Sequence, residues 1–147
     1  MSAIPVKALL RSAAVIATVQ AVAHLTLFLR GQPAPGSPVW PLVEAMKAQP
    51  GAGNTNYWGM YFGYGLLSAL TAFLIAALIW LASAFDERSR GLARTLVLIV
   101  LVAVALHALV IQRYFFALPL YFDIVVAVLL TLAWERLGDQ ELATATR

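Results

Sequence analysis

Four long apolar stretches alternate with short polar segments, at about residues 8–29, 56–84, 92–112 and 118–134. An α-helix needs roughly 20 apolar residues to cross the hydrocarbon core of a bilayer, and each stretch is near or above that length. None of them shows the long polar face of a helix from a soluble bundle. The pattern therefore predicts an all-α fold, a four-helix transmembrane bundle of one domain over residues 1–147. We expect the first stretch to be retained as a helix.

The segment between the first two stretches, residues 31–55, is rich in proline and glycine, which interrupt regular structure. Within it, residues 41–48 predict a short helix, because proline is tolerated in a first helical turn. Trp40, Val43 and Met46 would then share one side. Such a helix could lie on the membrane surface and cap the bundle. A plain connector is the alternative interpretation.

The composition supports a membrane protein and suggests its orientation. Hydrophobic residues make up 62% of the chain and charged residues 12%, with a mean hydropathy of +0.84. The basic residues flank the apolar stretches, so the net charge of +3 indicates no nucleic-acid partner. By the positive-inside rule, the more basic side is cytoplasmic and contains both termini. Seven basic residues fall on that side and three on the other: Lys7, Arg11, Arg88, Arg90, Arg94, Arg136 and Arg147, against Arg30, Lys47 and Arg113.

The chain contains no cysteine. Disulfides, thiol–disulfide relays and cysteine-ligated metal or iron–sulfur sites are therefore excluded.

Most polar residues inside the apolar stretches lie toward the end away from the termini. His24 precedes Arg30 by six residues and His107 precedes Arg113 by six, which places each imidazole roughly 9 Å inside its helix end. Asp123 enters the fourth stretch from the same side. Ionisable groups inside a membrane are costly and are functional candidates by default.

We therefore expect a pocket in the outer half of the bundle that binds a hydrophobic molecule with a polar head, such as a quinone, a lipid or an isoprenoid. Trp58 would pack on the head group and the loop 31–55 would cover it. The expected ligand-binding residues are His24, His107, Asn56, Trp58, Tyr61, Tyr64, Arg113 and Asp123.

Other readings use the same residues. An enzyme could transfer protons on a lipid substrate, with His24 or Asp123 as the catalytic base. Structurally, a histidine can simply bond a neighbouring helix, and Arg113 can form an ion pair with Asp123. A haem or metal between His24 and His107 is less favoured, because nothing in the spacing requires their faces to meet and zinc would need further ligands.

The pair Gly59 and Gly63 forms a GxxxG motif in the second stretch. In an apolar helix this spacing allows a neighbouring backbone to come close. The motif predicts packing, and with it a homodimer or a place as an accessory or scaffold subunit in a larger membrane complex.

Several segments together resemble a family of small bacterial four-helix inner-membrane proteins that has no established activity. The resemblance implies a multi-pass protein of the bacterial inner (plasma) membrane. It is carried by the loop 31–55 and by Ala23-His24-Leu25, Tyr57-Trp58-Gly59-Met60-Tyr61-Phe62-Gly63-Tyr64-Gly65, and Tyr114-Phe115-Phe116 followed by Pro119.

Overall fold

The structure, a computed structural model, describes residues 5–145, with side chains described for residues 5–139. Over that range the regular elements are five α-helices and one 3₁₀ turn. The helices are α1 (Val6–Arg30), α2 (Trp40–Ala48), α3 (Tyr57–Ala82), α4 (Arg90–Tyr114) and α5 (Ala117–Ala145), with the 3₁₀ turn at Glu87–Ser89. Arg147, which contributes to the charge asymmetry, lies outside the described residues.

Four of these helices are long and apolar enough to cross a membrane, which confirms that part of the prediction. Only 22% of the residues in each hydrophobic segment are buried inside the protein. Most apolar side chains therefore face outward: Leu70, Leu92 and Leu109 are 65%, 66% and 62% exposed. Apolar side chains exposed to this extent suit lipid and are unfavourable in water.

The chain divides into two compact units. The first contains the residues up to Gln20 and those from Ala72 onward. The second runs from Ala21 to Thr71.

In the first unit, the start of α1, the end of α3, and helices α4 and α5 pack around one hydrophobic core. Small residues on α1, including Ala13 and Ala17, are buried in it. Small side chains let membrane helices approach closely, and van der Waals packing then stabilises the contact. The largest fully buried side chains of the core are Leu10, Ile79, Val97, Val126 and Leu130.

Arginine–tryptophan contacts lie at the end of this unit where α1 begins. The Arg11 guanidinium lies 5.2 Å from the centroid of the Trp80 ring, and that of Arg94 lies 4.5 Å from Trp134. Such cation–π contacts place charge beside amphipathic rings, as expected where helices meet a membrane–water interface.

Helix α5 is longer than the sequence suggested. The fourth apolar stretch predicts a helix that ends near residue 134, but the helix continues to Ala145 and Gly138 is buried within it. A Cβ at Gly138 would lie 2.8 Å from the Arg94 guanidinium. The glycine therefore leaves room for the Arg94 side chain of α4, and the buried Leu137 beside it holds α5 on the core.

In the second unit, the loop between α1 and α3 contains helix α2, as predicted, with Pro41 in its first turn. Val43 is buried, and Trp40 and Met46 are partly buried, so these three form the inward side of α2. The plain-connector alternative is therefore wrong. Further along, the Asn56 side chain caps α3 by accepting a hydrogen bond from Gly59 N at 2.8 Å.

The two glycines of the GxxxG motif in α3 differ from each other in their surroundings. A Cβ at Gly59 would overlap the Thr55 side chain of the same loop. At Gly63, apart from its chain neighbours and the backbone of its own helix, no described atom lies within 4 Å of an added Cβ. The close approach within this unit is instead at Gly65, where an added Cβ would overlap the ring of Phe28 from α1.

Candidate functional site

A hydrogen-bonded network in the first unit joins α1, α4 and α5 around a buried carboxylate. Asp123 of α5 is only 3% exposed. Its Oδ1 accepts a hydrogen bond from Gln20 Nε2 at 2.9 Å, and its Oδ2 lies 2.9 Å from His107 Nδ1. The Gln20 amide also reaches the Pro119 carbonyl, at 3.4 Å. Both carboxylate oxygens thus have partners inside the protein, as a charge buried in an apolar environment requires.

The α4–α5 hairpin sets this geometry. The two helices run antiparallel after a short connection, so residues of α4 face residues of α5 in reverse order. Pro119 is tolerated in the first turn of α5, where its missing N–H has no helical partner to lose. Asp123 then falls on the inward face, about one and a half turns into the helix.

The expected ion pair between Arg113 and Asp123 is wrong. Asp123 lies opposite His107, so Arg113, six residues further along α4, lies opposite Ala117, six residues before Asp123. Arg113 is exposed, with its guanidinium 5.4 Å from the Tyr114 ring. The carboxylate oxygens bind Gln20 and His107 instead.

The chemistry of His107 follows from its partner. The Gln20 amide and the His107 ring both face Asp123, whose carboxylate oxygens are hydrogen-bond acceptors. The proton of the neutral imidazole then belongs on Nδ1, which leaves Nε2 with a free lone pair. The His107 side chain is 40% exposed whereas that of Asp123 is 5% exposed. The network therefore presents the imidazole outward and keeps the carboxylate behind it.

His24 belongs to the second unit and to a different environment. Its Nε2 lies 3.4 Å from the Gly65 carbonyl of α3, a weak contact between helices. Its ring stacks on Phe28 with a centroid distance of 6.3 Å and an interplanar angle of 6°. These contacts are those of the structural alternative, in which a membrane histidine bonds a neighbouring helix.

Phe28 is the centre of an aromatic cluster in that unit. Its ring centroid lies 5.3 Å from that of Phe62 and 6.0 Å from that of Tyr61, and Trp58 lies 5.3 Å from Tyr61. Offset and tilted ring pairs at these distances are attractive. Two predicted site residues, Trp58 and Tyr61, are therefore packing partners here.

The other two predicted residues of α3 have separate roles in this unit. Tyr64 is 65% exposed. The Asn56 Oδ1 caps the first turn of α3, so its acceptor already has a partner.

We predict that Asn56→Ala lowers the free energy of unfolding by about 1 kcal/mol, because the Gly59 N–H loses its capping acceptor. Asn56→Asp keeps that acceptor and is the matched control. Equilibrium unfolding in mixed micelles measures both variants. An alanine variant as stable as the native protein would exclude a capping role.

Gln20, Phe28 and Gly65 were not among the predicted site residues. Gln20 had a signal, since it is a polar residue inside an apolar stretch, but its partner lies 103 positions away in the sequence. Phe28 and Gly65 had none, because an aromatic residue and a glycine are ordinary in membrane helices.

Within residues 5–139, no three histidine, aspartate or glutamate side chains come together in a group that could hold a metal ion. The polar contacts around Asp123 in the first unit are hydrogen bonds.

No known protein family, curated protein or solved structure matches this chain.

Proposed function

We propose that this protein is a multi-pass membrane protein that binds a hydrophobic molecule, such as a quinone, a lipid or an isoprenoid, through its polar head group. The His107–Asp123 pair is the observation that carries the proposal. Binding sites for such molecules are mostly apolar, with a few polar groups that fix the head group. The His107 ring, orientated by a buried carboxylate, is a group of that kind.

Two features of the pair favour binding over a purely structural role. An interhelical hydrogen bond alone requires only one ring nitrogen, and Nδ1 supplies it. The His107 side chain is 40% exposed, and the proposal assigns its second nitrogen, Nε2, to the ligand. Burying the Asp123 carboxyl group inside a membrane costs free energy. An intramembrane acid is therefore a functional candidate by default.

The protein belongs, in this proposal, to a bacterial inner membrane with both termini in the cytoplasm. The support is the excess of basic residues at one end of the first unit and the Arg11–Trp80 and Arg94–Trp134 contacts there. His107 then lies in the outer half of the membrane.

Analysis of co-purifying lipids tests the binding proposal. We expect at least one hydrophobic compound to accompany the native protein and to be depleted about tenfold in His107→Phe, which keeps an aromatic ring but removes both nitrogens. His24→Phe is the matched control, because His24 contacts Gly65 in the second unit. Equal recovery of every compound from native protein and His107→Phe would contradict the proposal.

The same pair favours a second candidate function, proton transfer on a lipid substrate. An imidazole with a carboxylate on Nδ1 is a common form of general base. Asp123 and His24 were the bases expected from the sequence, but Asp123 is buried behind its two donors. His107 is therefore the group that we propose to accept the proton.

Binding and catalysis differ in what they do to the bound compound. A catalyst converts a pure candidate lipid added to protein in vesicles, and His107→Phe stops the conversion. A binding protein returns the compound unchanged. Deuterium from D₂O bound to a carbon atom of the recovered lipid distinguishes the two cases, because hydroxyl protons exchange without a catalyst.

Association with a second copy or with a larger membrane complex stays a prediction. Gly63 supports it, since the space beside its Cα is open among the described residues. Gly59 contributes less, because Thr55 occupies that space. Weaker self-association of Gly63→Leu in sedimentation experiments is the expected result.

A further inference from the structure

We infer that the head group recognised at His107 is an uncharged hydroxyl, as in an isoprenoid alcohol or a quinol, and that phosphate-bearing lipids are disfavoured. This inference rests on the proposed binding function and specifies its ligand class. It follows from the charge of the network and from the direction of its hydrogen bonds.

The charge of the pair argues against an anionic head group. With a neutral imidazole the network has the single negative charge of Asp123, and with a protonated imidazole its net charge is zero. In neither state does it present net positive charge. A phosphate at the outer edge of His107 would lie near a buried carboxylate, where repulsion is weakly screened.

The positive charge of Arg113 does not change the net charge that the His107–Asp123 network presents. Arg113 lies six residues beyond His107 on α4, roughly 9 Å along the helix axis. Its guanidinium lies over the Tyr114 ring, and its side chain is exposed at the helix end. On α5, Tyr121 is 63% exposed and adds no charge. The polar partner from α1 is the neutral amide of Gln20.

The direction of the hydrogen bonds then selects a donor. His107 Nδ1 lies 2.9 Å from Asp123 Oδ2, and in the neutral ring with its proton on Nδ1 the other nitrogen, Nε2, is an acceptor. A hydroxyl donates to Nε2 and completes a chain from ligand O–H through the imidazole to the carboxylate. A ketone, an ester or an ether has no such proton to donate. It would bind only to the protonated ring.

Matched ligands test this choice with the full-length protein in nanodiscs. The first series is farnesol, farnesyl methyl ether and farnesyl phosphate, which share a tail and differ in the head group. The second is decylubiquinol against decylubiquinone. Binding is followed by intrinsic tryptophan fluorescence and checked by competition with tritiated farnesol or tritiated decylubiquinol.

We expect the hydroxyl ligand of at least one series to bind about tenfold more tightly than its partners, the value of one hydrogen bond. His107→Phe should remove that preference. If this variant folds poorly, His107→Phe combined with Asp123→Leu removes the pair without leaving an unsatisfied carboxylate, and it should show the same loss.

Different results contradict the hydroxyl inference and the proposed binding function. Equal binding of the hydroxyl ligand and its partners, all lost in the His107 variant, overturns the hydroxyl inference and leaves the binding function intact. Tighter binding of farnesyl phosphate than of farnesol also overturns the hydroxyl inference and leaves the binding function intact. If no ligand of either series binds in a His107-dependent way, the hydroxyl inference is overturned, and the co-purification result decides the binding function separately.

Discussion

His107→Phe is expected to lower the free energy of unfolding by about 3 kcal/mol, and Asp123→Leu added to it should restore much of that loss. Removing the partner of a buried charge resembles breaking a buried ion pair, which typically costs about 3–5 kcal/mol because the remaining charge is left without its partner. We expect the low end here, since the His107 side chain is 40% exposed. Replacing both members by apolar groups removes the charge as well and is often nearly neutral.

The two single variants need not be equally unstable. Asp123→Leu removes the charge, leaves His107 Nδ1 without its acceptor and leaves the Gln20 amide only the Pro119 carbonyl. Both side chains are only partly buried. We expect a loss of about 1–2 kcal/mol from it, the range for hydrogen-bond donors left unsatisfied. Unfolding in mixed micelles over a full double-mutant cycle measures all four proteins. Strictly additive losses would show that the two residues do not interact.

Gly65→Ala should destabilise the protein by about 1–3 kcal/mol, the usual cost of inserting a methyl group into a packed interface. The new Cβ would overlap the Phe28 ring, which must then move away from α3. That movement also disturbs its contacts with His24 and Phe62. The higher helix propensity of alanine, about 1 kcal/mol, offsets part of this loss.

Gly63→Ala is the matched control in the same helix. It adds the same methyl group where the described structure leaves open space. Helix propensity alone then predicts unchanged or higher stability. Phe28→Ala in the Gly65→Ala background should remove the additional loss, because the methyl group no longer meets the ring. Equal stability of Gly63→Ala and Gly65→Ala would show that Phe28 does not lie against Gly65.

Helix positions followed from the sequence because their signals are local. Apolar runs of sufficient length predicted the four long helices, and Pro41 in a first turn predicted α2. The end of α5 did not follow, since a glycine normally suggests a helix end. Gly138 instead makes room for Arg94, and that contact depends on how two helices pack.

The candidate site could be predicted from the sequence only in part, because its contacts also depend on how helices pack. The sequence identified His107 and Asp123 as polar groups at a similar depth, and the structure joins them. It suggested Arg113 as the partner of Asp123 because charges near a turn commonly pair. The alignment of α4 against α5 instead places His107 beside Asp123. The contribution of Gln20 depends on packing between α1 and α5, which no local pattern encodes.

Nitrogen-15 spectroscopy of the imidazoles tests the central claim most directly, because the chain contains two histidines and His24→Gln assigns the signals. In lipid, His107 should have its proton on Nδ1 and a free lone pair on Nε2, and the Nε2 signal should move when a hydroxyl-bearing amphiphile such as farnesol or decylubiquinol is added. Asp123→Asn should abolish the Nδ1 preference. A His107 ring protonated on Nε2 alone, and indifferent to both amphiphiles, would contradict the account.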